Sequence, residues 1–130
     1  MAFPLDAKFI DAVEQKIGAA LPDAYRQGMM RSNGGRGDVL GDIWTFHPIF
    51  DTSDKKRLKR SANHILRETE ARGSYGDLPD GAIEIAKNDF GDALLFLRDG
   101  PRFLPGLHLL SHDTGAVSDT GLTIDQVAFA

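Results

Sequence analysis

Residues 82–112 have the sequence AIEIAKNDFGDALLFLRDGPRFLPGLHLLSH, and this stretch carries the strongest strand signal in the chain. It contains three apolar runs, at residues 82–87, 93–98 and 107–112, which have the length and composition of β-strands. The segments between them, NDFGD and DGPRFLPG, are rich in Gly, Asp and Pro and are typical of turns. Because a parallel crossover needs a dozen or more residues, connections this short predict antiparallel strands.

Helical periodicity precedes these strands. Apolar residues recur at helical spacing in three segments, 6–18, 21–33 and 54–72. Asp6 is the predicted N-cap of the first helix and Gly18 its C-terminal stop. We expect residues 34–42 to be a turn-rich loop, residues 43–46 a short strand with Trp44 in the core, and residues 123–129 a short final helix capped by Thr123.

Helices followed mainly by strands, with one helix inserted, predict an α+β fold: a single domain over residues 1–130 with helices on a mainly antiparallel sheet. The chain has 130 residues, of which 42% are hydrophobic and 26% charged, which excludes a disordered or fibrous protein. The absence of cysteine excludes disulfides, a thiol nucleophile and a thiolate metal site. Without a signal sequence or an apolar run of membrane-spanning length, we expect a cytoplasmic location.

Charge divides unevenly along the chain. Residues 1–72 carry 12 Lys and Arg against 10 Asp and Glu, whereas residues 73–130 carry 3 against 9. An acidic second half argues against a direct nucleic-acid binder and favours a partner protein with a basic surface. The predicted partner-binding residues are Asp77, Asp80, Glu84, Asp89, Asp92 and Asp99. The alternative is that these carboxylates only keep the protein soluble.

Several short motifs suggest other activities but lack the context those activities need. Asp89-Phe90-Gly91 spells a kinase metal motif, yet no glycine-rich loop accompanies it, so we interpret it as a turn between strands. The glycines of residues 34–37 follow a helix and no P-loop lysine is present, so they are interpreted as a helix end. The basic run 55–60 has no interleaved aromatic residues and is interpreted as a solvated helix face.

The histidines form no predicted metal or catalytic site. His108 and His112 would lie about 13 Å apart on a strand, too far to share one zinc ion. Ser111 and His112 would point to opposite faces and so could not act as nucleophile and base. We therefore expect no cofactor, no metal and no enzymatic activity; a small hydrolase or metal enzyme lacks any convergent set of residues.

The ordered motifs resemble one family. Leu21-Pro22-x-x-Tyr25 and Asn33-Gly34-Gly35 resemble the LPxxY and NGG opening of the SUKH superfamily, the Smi/Knr-like domains. Ile85-Ala86-x-x-Asp89-x-Gly91-Asp92 is similar to that family's IA…GD stretch, and residues 107–113 and 123–129 resemble its later strand and closing helix. The resemblance covers residues 6–129, and it departs from the family at Gly28, where a bulky apolar residue is usual.

The resemblance implies an α+β domain with helices flanking one twisted sheet. Bacterial members of this family commonly resemble immunity proteins, which bind a cognate secreted toxin, often a nuclease, and neutralise it by occlusion without chemistry. The leading hypothesis is therefore an immunity protein of a polymorphic toxin system. The alternative is a regulatory or scaffold interaction domain, as the eukaryotic Smi/Knr-like proteins suggest.

Overall fold

The computed structural model describes residues 2–74, 76 and 78–129. Over these residues one sheet is built from seven strands: β1 (Gly35–Val39), β2 (Asp42–Phe46), β3 (Ile83–Lys87), β4 (Ala93–Asp99), β5 (Arg102–Leu110), β6 (Val117–Thr123) and β7 (Ala128–Phe129). Their order across the sheet is β6-β5-β4-β3-β2-β1-β7, and each neighbouring pair is antiparallel. The predicted antiparallel arrangement of residues 82–112 is confirmed.

Four α-helices precede β3 in the described part of the chain. They are α1 (Ala7–Ile17), α2 (Asp23–Arg31), α3 (Lys55–Arg60) and α4 (Ile65–Gly73), and a single 3-10 turn, Ile124–Gln126, lies between β6 and β7. The helix α4 packs on β3, and α2 packs against the 3-10 turn. This arrangement confirms the predicted α+β class. None of the described helices has the length and apolarity needed to cross a bilayer.

The first helix begins and ends where the sequence predicts. The Asp6 side chain accepts the backbone N–H of Lys8 at 3.0 Å, which satisfies one of the free amides of the first turn. Gly18 adopts a left-handed conformation, with φ of 69°, and its N–H donates to the Glu14 carbonyl at 2.8 Å. The amphipathic spacing places Ile10 and Val13 in the core.

The prediction of one continuous helix over residues 54–72 is wrong, because the chain leaves the helix between α3 and α4. The Ser61 hydroxyl donates to the Arg57 carbonyl at 2.8 Å and accepts the backbone N–H of Asp51 at 2.9 Å. A serine side chain that bonds to nearby backbone offers the chain an alternative to the helical ladder. The next helix then starts afresh at His64, whose Nδ1 accepts the backbone N–H of Arg67 at 3.3 Å.

The loop predicted for residues 34–42 is also wrong, because most of it forms β1 between β2 and β7. Its glycines suggested turns, but Gly37 serves close packing instead. A Cβ at Gly37 would lie 2.6 Å from Cγ1 of Val127, so only glycine lets the C-terminal segment lie against β1.

The C-terminal region contains less helix and more strand than predicted. Residues 117–123 form β6, which the sequence did not predict, and the helix expected over residues 123–129 is reduced to the 3-10 turn followed by β7. Thr123 is the N-cap of this turn, and in the capping box the Oε1 of Gln126 accepts the backbone N–H of Thr123 at 2.9 Å. The pairing of β7 with β1 replaces the helical bonds that a longer helix would make.

The core lies between the sheet and the helices. Trp44 is 1% exposed, as predicted, and its indole N–H donates to the Val39 carbonyl at 3.2 Å. Tyr25 of α2 contacts Phe96 of β4 edge-to-face, with ring centroids 5.1 Å apart. The aromatic side chains of α2, β2 and β4 therefore hold the first helices on the sheet.

Candidate functional site

The turn between β3 and β4 is held in one conformation by a single asparagine. Asn88 Oδ1 accepts the backbone N–H groups of Phe90 and Asp92, each at 3.0 Å, and its Nδ2 donates to Asp92 Oδ2 at 3.1 Å. Gly91 follows with φ of 85°, a conformation that side-chain-bearing residues rarely adopt. The interpretation of Asp89-Phe90-Gly91 as a turn between strands is confirmed.

An aromatic ring is presented to solvent at this turn. Phe90 is 71% exposed, the most exposed large hydrophobic residue among those described. Asp89 beside it is exposed, and Asp92 Oδ1 accepts the backbone N–H of His112 at 2.9 Å, which brings the exposed Asp113 to the same end of the sheet. We call this surface, formed by Asp89, Phe90, Asp92 and Asp113, the Phe90 tip.

Two of the other predicted residues lie at the opposite end of β4. Asp80 is exposed just before β3, and Asp99 ends β4 with its carboxylate 3.3 Å from Arg102. Seven residues of strand at about 3.3 Å each separate them from the Phe90 tip by about 20 Å. Asp77 lies outside the described residues. The predicted acidic residues therefore do not form one continuous surface.

Glu84 is not a surface residue, which corrects its place in the predicted acidic surface. It is 2% exposed, on the central strand β3 beneath α4. Oε1 accepts Nε of Arg72 at 2.6 Å, and Oε2 lies 2.6 Å from Nε2 of the fully buried His47. Glu84 and Asp99 both have arginine partners: Arg72 lies on α4, and Arg102 lies three residues after Asp99 at the start of β5.

This buried network includes the one group of side chains with metal-ligand composition among the described residues. Ligand atoms of His47, Glu68 and Glu84 lie within 4.8 Å of one another. However, Glu84 already pairs with Arg72, and Glu68 lies 3.8 Å from Nζ of Lys87. Two cations therefore neutralise the two carboxylates, so the electrostatics favour an internal ion network over a divalent cation.

The basic helix α3 has an aromatic contact that its spacing did not reveal. None of its residues is buried, as expected for a solvated face. Three of its cations nevertheless lie over the Phe3 ring, with Lys56 at 5.6 Å, Arg57 at 4.4 Å and Arg60 at 5.3 Å from the centroid. These contacts attach the N-terminal segment to α3 and engage part of the basic run within the protein.

The sequence pointed to the Phe90 tip only through its acidic residues. From the sequence, Phe90 is interpreted only as part of the turn between two strands. Its position could have indicated exposure, because Phe90 lies between Asp89 and Gly91 in a five-residue connection, outside both strands.

Comparison with known proteins agrees with the architecture. The model of the SMI1 / KNR4 family (SUKH-1) matches residues 4–118, which is most of the chain and includes α1 through the start of β6. No curated protein and no solved structure matches the chain significantly. The family match spans both the LPxxY…NGG opening and the β3–β4 hairpin that carries the Phe90 tip. The chain belongs to the SMI1 / KNR4 (SUKH-1) family.

Proposed function

We propose that this chain is an immunity-type protein that binds a toxin protein in the bacterial cytoplasm and blocks its active surface without chemistry. The observation that carries the proposal is the Phe90 tip: an aromatic ring 71% exposed on a fixed turn, with carboxylates around it. Membership of the SUKH-1 family supports it, because that family is consistent with immunity-type or Smi/Knr-like protein-binding domains.

The Phe90 ring supplies the apolar contact with the partner, which acts at short range. Aromatic side chains often dominate interface energies because they bury a large area and lose little conformational entropy. The three hydrogen bonds of the Asn88 side chain hold the turn before any partner arrives, so little ordering is needed on association. Phe90 therefore serves as the anchor.

The carboxylates of the Phe90 tip supply the electrostatic attraction to the partner, which acts at long range. Asp89 and Asp113 are exposed and form no ion pair among the described residues, whereas Asp99 at the other end of β4 is paired with Arg102. A carboxylate that forms no ion pair keeps its electrostatic field, and this field steers a partner of opposite charge during association. A toxin whose substrate-binding cleft is basic, as in a nuclease, is the partner this surface fits.

The proposed function is tested by measuring whether this chain protects the growth of bacteria that produce the candidate toxin. The product of the reading frame next to this one is expressed in a heterologous bacterium, alone and together with this chain. We expect the neighbouring product to be toxic and the parent chain to restore growth. A neighbouring product that is harmless, or that remains toxic with the parent chain, would contradict the immunity function and favour a regulatory interaction domain.

Variants then test the surface separately from the function. Phe90→Ala is expected to lose protection, whereas Leu40→Ala, which removes a 62% exposed side chain from the β1–β2 turn, is expected to protect like the parent. Both variants change exposed residues, so both should fold normally. If parent and Phe90→Ala protect equally, the function stands and the interface lies elsewhere.

A further inference from the structure

A second surface feature has no role in the proposed function. A pocket of about 480 Å³ lies between α2, the start of β1 and the C-terminal segment. Its volume is in the range of small-molecule sites. Buried apolar side chains line it from two directions, with Met29 from α2 and Ile124 and Val127 from the C-terminal segment. It is built from elements that do not contribute to the Phe90 tip.

The pocket is open because α2 carries a glycine where it faces the C-terminal segment. Gly28 lines the pocket, and a Cβ placed there would meet nothing within 4 Å. Glycine inside a helix is less favourable than alanine, and here no close contact requires it. The space beside Gly28 can therefore accommodate an apolar group of a ligand.

Tyr25 lies behind the wall of the pocket and is fully buried, so its hydroxyl is closed off from the pocket space. Its ring contacts Phe96 edge-to-face, with centroids 5.1 Å apart. Tyr25 therefore supports the apolar wall and offers no polar contact to a ligand.

The rim of the pocket carries two arginines that are not engaged elsewhere. Arg31 and Arg36 are exposed, line the pocket, and form no ion pair or side-chain hydrogen bond with the described residues. The one acidic residue in the lining, Asp125, accepts a hydrogen bond from the Thr123 hydroxyl. The rim therefore has a net positive charge next to an apolar interior, which is complementary to a carboxylate attached to an apolar body.

We propose that this pocket binds a small aromatic carboxylic acid, with its ring over Gly28 and its carboxylate at Arg31 and Arg36. The site would make the protein a binder of a small anion in addition to its protein partner. The inference does not depend on the immunity function, since no step of it uses the Phe90 tip.

The test uses the full chain, one probe and a matched control. Backbone amide spectra are recorded during titration with 3-phenylpropionate and with its neutral amide. We expect saturable shifts at α2 and the C-terminal segment with the acid, with a dissociation constant of about 1 mM or lower. The amide should bind about fivefold more weakly, because it cannot pair with the arginines.

Three variants locate the site. Gly28→Leu fills the pocket while improving helix propensity, and it should abolish the shifts. The double variant Arg31→Ala/Arg36→Ala should bind the acid and the amide equally, whereas Arg102→Ala, an exposed arginine on β5, should bind like the parent. The proposal is overturned if 3-phenylpropionate gives no saturable shift, if the acid and the amide bind the parent equally, or if Gly28→Leu binds like the parent.

Discussion

Asp92 and His112 join two turns that are 20 residues apart in the chain. Asp92 Oδ1 accepts the His112 backbone N–H at 2.9 Å, while Oδ2 accepts Nδ2 of Asn88 at 3.1 Å. One carboxylate therefore fixes the β3–β4 turn on one side and the chain leaving β5 on the other. This relationship places Asp113 beside the turn that presents Phe90.

The first prediction concerns this link. In Asp92→Ala, the His112 amide loses its acceptor, and we expect its hydrogen exchange to become about tenfold faster. Asp89→Ala is the matched control, because Asp89 is exposed and accepts no hydrogen bond from that amide. The hydrogen-exchange rate of the His112 amide is measured from amide spectra under native conditions in the parent and in both variants. Equal exchange rates at His112 in the parent and in Asp92→Ala would refute the structural role of Asp92.

The second prediction concerns the buried ion network. Glu84→Gln removes the charge that pairs with Arg72 and leaves this cation, 16% exposed, without its counter-ion. Breaking a buried pair by changing one partner usually costs about 3–5 kcal/mol. We expect a loss of this size in urea unfolding, against less than about 1 kcal/mol for Asp99→Asn at the exposed pair with Arg102. Equal losses for the two variants would contradict the assignment of Glu84 to the interior.

The third prediction concerns the Tyr25 hydroxyl. It is buried without a partner among the described residues, so the folded protein carries its desolvation cost. Tyr25→Phe removes the hydroxyl and keeps the edge-to-face contact with Phe96, and we expect the free energy of unfolding to rise by about 1 kcal/mol. Chemical denaturation of the ligand-free proteins measures it. A variant less stable than the parent would show that the hydroxyl is satisfied in solution.

The fourth prediction concerns pH. Burial, followed by the positive charges of Lys16 and Arg67, lowers the pKa of His64 below its usual 6.5. The neutral ring is also the form that accepts the Arg67 amide at the start of α4. The unfolded chain therefore takes up this proton at higher pH than the folded chain, and the stability from His64 is lost as pH falls below about 6.5.

The variant His64→Asn isolates this titration, because asparagine can cap the helix without changing charge. We expect the stability of the parent relative to His64→Asn to decrease between about pH 8 and pH 5.5. Urea unfolding of both proteins at the two pH values gives this difference. A constant difference across that range would mean that His64 has the same proton affinity in the folded and unfolded states.

Local patterns were enough to predict the elements that depend on local chemistry. The Asp6 cap, the Gly18 stop and the three strands of residues 82–112 follow from side chains within a few residues of each position. The antiparallel sheet follows from connections too short to cross over. The resemblance to the SUKH family indicated that these helices and strands occur in this order in a known family. The match of the family model confirms that resemblance.

The errors occur where residues far apart in the chain decide the outcome. Gly37 looked like a turn residue because nothing near it shows that Val127 will pack on β1. Glu84 looked like an exposed acid because its partner Arg72 comes from α4, 12 residues away, and His47 from the segment after β2. Strand alternation alone does not distinguish a carboxylate facing water from one facing a buried arginine.

If a cationic partner binds at the Phe90 tip, neutralising two carboxylates there should slow its association, whereas neutralising two carboxylates elsewhere should not. One variant is Asp89→Asn/Asp113→Asn, at the tip. The other is Asp80→Asn/Asp99→Asn, at the opposite end of β4 about 20 Å away. Each removes two exposed negative charges, so the net charge of the two proteins is the same.

The most direct measurement is the association rate of the partner with the parent and with these two variants, at low and at high salt. We expect the tip variant to associate more slowly than the parent and to show a shallower salt dependence, because exposed charges act mainly on the association rate and are screened by salt. The variant at the opposite end should match the parent. Equal rates and salt dependences for the parent and the tip variant, or slowing only in the opposite-end variant, would show that the partner does not bind at the Phe90 tip.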